Sequence, residues 1–164
     1  MESPHDNHFS SQYLNLAEER LGSVVLATTD DFFAEKENII KPGRGMFIPD
    51  KFTDDGKWMD GWESRRKRIP GHDWCSIRLG APGKIRALDI DTNHFTGNFP
   101  PFASLEACEI TGDPDDATEW TELLAKSPLT GTSQNFFDVS SDQRWTHVRL
   151  HIYPDGGVAR LRVY

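Results

Sequence analysis

Cysteine is scarce in this sequence: Cys75 and Cys108 are the only two among 164 residues. Both lie in stretches where apolar and polar residues alternate, so they read as reduced core thiols rather than as a disulfide framework. Long apolar runs are missing too, and none approaches the roughly 20 residues a membrane span requires. The opening residues, MESPHDNHFSSQ, have neither a basic start nor an apolar centre. They do not read as a secretory leader, and the expectation is a soluble, cytoplasmic protein. Positive charge is in deficit, with a formal net charge of −8. Phosphate binding wants a clustered basic surface, so nucleic acid is not an expected partner. There is no glycine-rich phosphate loop, no zinc-like Cys/His spacing and no defensible Ser-His-Asp order.

What is present fits one domain, since a chain of this length can bury roughly 68–70% of its unfolded surface in a single core. Residues 1–12 are polar and read as a flexible N-terminus. Leu14, Ala17 and Leu21 recur at helical spacing, which predicts a short amphipathic helix over 13–21, ended by Gly22. The β-branched run SVVLA then predicts a strand. From Thr28 to Pro70 regular periodicity is absent, yet Phe32, Phe33, Phe47, Phe52, Trp58 and Trp62 make the stretch too aromatic for a disordered linker. It reads as long, ordered loops that build a site.

The remainder alternates. Cys75, Ile77 and Leu79 share one strand face, Pro82-Gly83 signals a turn, and Ile85 is out of phase with Leu88 and Ile90, which predicts a bulge near Ala87. Ala103, Leu105 and Ala107 mark another strand. HVRLHIY and VARLRVY flank Asp155-Gly156-Gly157 and read as a hairpin. TEWTELLAKSPL is compatible with a helical turn or a strand. Short strands, frequent turns and no alternating helices predict an all-β, antiparallel sandwich or barrel.

Several motifs resemble the first repeat of the allantoicase family: Asp30-Asp31-Phe32-Phe33, Lys36-Glu37-Asn38, Gly61-Trp62-Glu63 before paired arginines, Asp89-x-Asp91-Thr92, His94-Phe95-x-Gly97-Asn98 and Tyr153-Pro154-Asp155-Gly156-Gly157. The resemblance covers residues 13–164. It implies a galactose-binding-like jelly-roll β-sandwich and the hydrolysis of allantoate to ureidoglycolate and urea in purine breakdown. The family ordinarily carries two such repeats, so this one is expected to work beside a second repeat or a further copy. The same sandwich also hosts modules that merely bind a sugar or another small polar ligand, which is the competing reading.

Allantoate is one carbon bearing a carboxylate and two ureido groups, so its cleavage needs an anion anchor and groups that move protons. Arg65 and Arg66, in the run Arg65-Arg66-Lys67-Arg68, are the expected anchors; in an extended chain they point to opposite sides, and the sequence does not separate them. The same run also reads as a solvated basic turn. Asp89 and Asp91 share a strand face, where two close carboxylates raise each other's pKa, and His94 follows in the loop. These three are the expected acid–base residues, against a reading in which Asp91-Thr92-Asn93 caps a turn and His94 merely faces solvent. They could also hold a weakly bound divalent metal, although no cofactor and no resident metal are expected. The resemblance adds Glu37 as a catalytic group, with Lys36, Asp31 and Asn98 at the substrate. Trp62 is either packing or a pocket wall.

Overall fold

The computed structural model describes residues 9–164. The first eight residues of the expected flexible N-terminus therefore lie outside the described residues. Residues 9–12 form a helical turn, and Phe9 stacks on Tyr164 at 6.2 Å between ring centres. The helix expected over 13–21 shrinks to a 3-10 turn, Glu19–Leu21, capped by Gly22 in the left-handed region at φ 106°. Tertiary pairing wins over the helical pattern there. Leu16 N donates to Val163 O, and Gly80 N donates to Leu16 O. Asn15 Oδ1 accepts from Ala17 N and Val163 N, and Leu14 is left exposed.

Twelve strands follow: β1 (Val24–Thr28), β2 (Phe52–Thr53), β3 (Gly56–Lys57), β4 (Trp62–Glu63), β5 (Asp73–Lys84), β6 (Ala87–Asp91), β7 (Phe102–Cys108), β8 (Thr121–Pro128), β9 (Gln134–Asp138), β10 (Arg144–Tyr153), β11 (Gly157–Val158) and β12 (Arg160–Val163). A second 3-10 segment, Lys36–Ile40, lies between β1 and β2. A five-stranded sheet in the order β1-β5-β10-β7-β8 packs on a three-stranded sheet, β12-β6-β9, with every pair antiparallel. The expected all-β sandwich is what forms. Its core takes Cys75, Ile77, Leu105, Val148, Leu150 and Ile152 from the larger sheet and Leu88, Ile90, Leu161 and Val163 from the smaller. Each set alternates along its strand, as a half-buried strand requires. Both cysteines are free and buried; burial pushes the Cys75 thiol up and takes that of Cys108 to about 11.

Two turn expectations are corrected. Pro82 and Gly83 lie within β5, and the chain passes to the smaller sheet at residues 85–86 instead. Between Arg78 and Gly83 the strand leaves its ladder with β10, whose register jumps from His147↔Arg78 to Trp145↔Gly83. Proline, which has no N–H to donate, sits in that unpaired excursion. The bulge near Ala87 does form: the N–H groups of Arg86 and Ala87 both donate to Tyr164 O. The expected hairpin between β10 and β12 does not. Both edges of β10 are already taken by β5 and β7. Asp155-Gly156 therefore turns a corner, and the chain crosses to pair β11 with β4 and β12 with β6. TEWTELLAKSPL resolves as the edge strand β8.

The outer face of the small sheet is charged and nevertheless covered. Cross-strand register sets Arg160 opposite Asp91 and Arg162 opposite Asp89. Arg160 is 2% exposed; it donates through Nη2 to Asp60 Oδ2 at 2.9 Å, through Nε to Gly43 O at 3.1 Å and through Nη1 to Ala159 O at 2.7 Å. Asp60 Oδ2 also accepts from Met46 N. The long loop before β4 is thus tied to the sheet by ion pairs and carbonyl acceptors, which satisfy a buried guanidinium.

Candidate functional site

Segments 29–33, 65–69 and Asp73 enclose a cleft of about 490 Å³, lined by Thr29, Asp30, Phe33, the run Arg65 to Ile69, and Asp73. Its architecture follows from the strands. β1 delivers Thr29 and Asp30, β4 delivers the basic run, and β5 opens with Asp73. Residues 33–34 pair with Glu63 through backbone bonds, which fixes the two walls together. Trp62, fully buried, donates its indole N–H to Asp30 O at 2.8 Å. Asp30 Oδ2 in turn accepts from Arg65 N at 2.6 Å, and Oδ1 pairs with the guanidinium of Arg65 at 3.1 Å. Lys67 N is held by Asp155 Oδ2 at the corner after β10.

Inside this frame the charges divide. Arg65 is spent on Asp30, with its guanidinium also over the Phe32 ring at 4.7 Å. Lys67 Nζ bonds Asp73 Oδ1 at 3.0 Å. Among the described residues, Arg66 and Arg68 are in no ion pair, while both line the cleft. Asp73 is 1% exposed; its Oδ1 accepts from Thr29 Oγ1 and Lys67, and its Oδ2 is buried without a hydrogen-bond partner among the described residues. An unpaired buried carboxylate oxygen costs free energy unless something else satisfies it. The cleft therefore offers two free guanidinium forks, with the unpartnered Oδ2 of Asp73 buried behind its wall.

The other expected residues lie elsewhere. Asp89 and Asp91 do share one face of β6, at 2% and 1% exposure. Gln134 Nε2 donates to Asp89 Oδ2 at 3.0 Å, and Asp91 takes two bonds from Arg44, at 2.9 and 3.0 Å, and one from Asn93 N. They sit under the 43–46 loop, away from the cleft. His94 adopts φ 69° and lies tilted over Phe47 at 5.6 Å. Asp31 Oδ2 accepts from Lys36 N, and Lys36 Nζ bonds Glu37 Oε1, which raises the Lys36 pKa. Asp31 faces a second groove with Asn38 and Trp58, separate from Asp30. Asn98 Nδ2 donates to Glu63 Oε2 at 2.8 Å; burial raises the Glu63 pKa, an effect this hydrogen bond partly offsets. Trp62 has no surface for a ligand to touch. Among the described residues no three His, Cys, Asp or Glu side chains group closely enough to hold a metal ion.

Sequence reasoning missed Asp73 and a second polar array. His72 Nε2 and His151 Nδ1 are 2.8 Å apart, and His151 Nε2 is 2.7 Å from Glu106 Oε1. His72 also packs on Tyr153 at 4.4 Å in a cleft shared with Lys126 and Phe102. One signal was available: strand alternation sets His147, Arg149, His151 and Tyr153 on the same face of β10, opposite the core.

Fold and cleft together define a galactose-binding-like jelly roll with a basic, loop-built cleft. Residues 14–164 match the family described as Allantoicase repeat, and the chain belongs to the allantoicase family. It is 50% identical over 165 residues to a probable allantoicase 1 of Burkholderia mallei, covering 100% of this chain and 49% of that protein. A probable allantoicase of Photobacterium profundum is 54% identical over 154 residues, covering 93% and 47% respectively. The chain thus spans about half the length of the curated relatives it matches. The crystal structure of allantoicase from Saccharomyces cerevisiae superposes with a TM-score of 0.77 at 38% identity, over 92% of this chain and 42% of that one. A chitosan-binding module from Paenibacillus sp. IK-5, at 15% identity and a TM-score of 0.62, shares the fold alone. Among the described residues no helix is long and apolar enough to cross a membrane.

Proposed function

We propose that this chain is one half of an allantoate amidinohydrolase and that the substrate binds in the cleft between Asp30 and Asp73. The observation that carries the placement is that Arg66 and Arg68, neither in an ion pair among the described residues, line one cavity with Asp73. A planar carboxylate suits a guanidinium fork, so Arg66 and Arg68 anchor the allantoate carboxylate. Ureido groups present N–H donors, and the carboxylate of Asp73 at the cleft wall receives one. Water adds at the central carbon as a C–N bond breaks; Asp73 takes up the water's proton, and Lys67, bonded to it, gives a proton to the departing urea nitrogen and regains one from Asp73. In this reading Arg66 keeps the anchoring role expected from sequence. Asp73 takes the role expected of Asp89 and Asp91; Asp91 instead holds Arg44 of the loop over the small sheet, and Asp89 accepts from Gln134. A second repeat supplies the remainder of the enzyme.

The test is urea release from allantoate by this chain and by a two-repeat protein containing it, with divalent metal and with chelator. Replacing Arg66 and Arg68 together by Ala is expected to raise KM by about 10² or more, since each charged hydrogen bond is worth roughly 1.5–3 kcal/mol. Asp73→Asn is expected to lower kcat with little effect on KM. Wild-type kinetics in both variants would move the site elsewhere. A folded pair of repeats that binds allantoate and releases no urea would favour a binding module.

A further inference from the structure

The outer face of the five-stranded sheet holds a second cleft, of about 610 Å³, between the β1–β5 edge and the 113–120 loop. At its floor the guanidinium of Arg149 lies between two indoles, 4.0 Å from the ring centre of Trp74 and 4.5 Å from that of Trp120. Its Nε donates to Ser76 Oγ at 3.1 Å, and among the described residues that is its one hydrogen bond. The side chain is thus fixed by stacking above, below and at Nε, while both terminal nitrogens keep their donors. Fixing a rotamer-rich arginine and half-burying its charge is unfavourable unless something meets those donors.

The carboxylates nearby do not meet them. Asp113 is engaged with Arg78, through both oxygens at 3.0 Å, and with His147 at 3.1 Å. Asp115 accepts from Ala117 N within its own loop. Glu106, opposite Arg149 in the β7–β10 register, gives its carboxylate to His151. Asp116 lines the cleft and is in no hydrogen bond or ion pair among the described residues. An oriented guanidinium fork and a free carboxylate therefore face one cavity.

We propose that this cleft binds a small carboxylic acid that also carries an N–H donor, of the ureido- or amino-acid class. The acid's two oxygens take the terminal nitrogens of Arg149, and its N–H meets Asp116. The site shares no lining residue with the Arg66–Asp73 cleft, so it is a second site, independent of the catalytic reading.

The probe is hydantoate, which has one carboxylate and one ureido group, titrated by calorimetry and by the indole N–H signals of Trp74 and Trp120. Saturable binding that moves both signals is expected, weakened about tenfold or more in Arg149→Lys, which keeps the charge and loses the fork. The exposed Asp116→Asn is expected to weaken hydantoate and to strengthen acetate, which has no donor; this holds the test open if Arg149→Lys folds poorly. The Arg66→Ala, Arg68→Ala double variant should leave the hydantoate-dependent shifts of Trp74 and Trp120 unchanged while removing any hydantoate heat from the other cleft and impairing urea release, so the two sites fail separately. Unaltered affinity in Arg149→Lys, or unmoved Trp74 and Trp120 signals at saturating probe, overturns the proposal. So does a cleft that fills only with a carboxylate of a partner protein.

Discussion

Burying Arg160 beside Asp60 withdraws both charges from water, at 2% and 8% exposure, and the pair persists because the carbonyls of Gly43, Ala159 and Asp60 accept further guanidinium donors. Removing one partner leaves the other uncompensated. Asp60→Ala is expected to lower stability by about 3–5 kcal/mol in urea denaturation. The exposed pair Arg86–Asp142 is different: Asp142→Ala should leave the urea midpoint essentially unchanged. The same contrast governs what could be read from residues alone. Asp89-x-Asp91 looks like chemistry when read by itself. Set beside Arg160-x-Arg162, four positions of alternating charge, it reads as a cross-strand ladder. Pairing the two patterns requires knowing that β12 lies next to β6, and that adjacency is not local. Asp73 was hidden for the opposite reason. A single carboxylate at the head of a strand carries no pattern, and only the approach of Thr29 and the basic run gives it meaning.

Individual strands were legible wherever inward and outward residues alternate, as along Cys75 to Leu79, Ala103 to Ala107 and Val148 to Ile152. Their partners were not, because alternation says which face is buried and nothing about which edge is free. The passage from β10 to β11 shows this. Asp155-Gly156-Gly157 has hairpin chemistry, yet β10 has no free edge, so the chain makes a corner instead. That corner is tightly enclosed. A Cβ on Gly157 would lie 2.0 Å from Cε1 of the buried Phe95, and one on Gly156, at φ 132°, would lie 2.7 Å from Asn98 O. Gly157→Ala is expected to destabilise by about 1–3 kcal/mol through overpacking. Because β11 holds β4, and β4 leads into the basic run, the variant should also weaken allantoate binding more than an equally destabilising core change such as Ile90→Val. Equal losses of binding at matched stability would disconnect the corner from the cleft.

At the scale of the whole molecule, the polar face of the larger sheet couples stability to pH. His72 is pushed below the usual imidazole range, first by burial and then by the neighbouring His151. A lowered folded pKa means that the unfolded chain takes up the proton first as pH falls below about 6.5. The stability tied to neutral His72 is therefore complete above that value and is lost as pH falls through the lower folded value. Glu63 works in the other direction, because burial raises its pKa. Its contribution is complete below the ordinary carboxylate range and is lost as pH rises through the raised value. The two windows do not cancel in a variant. His72→Gln should flatten the decline of unfolding free energy between pH 6.5 and 5 and leave it unchanged near pH 8, while Glu63→Gln should steepen the net decline on acidification. Denaturant titrations at pH 5, 6.5 and 8 measure all three. If His72→Gln shows the parent's acid slope, His72 does not set the acid limit of the fold.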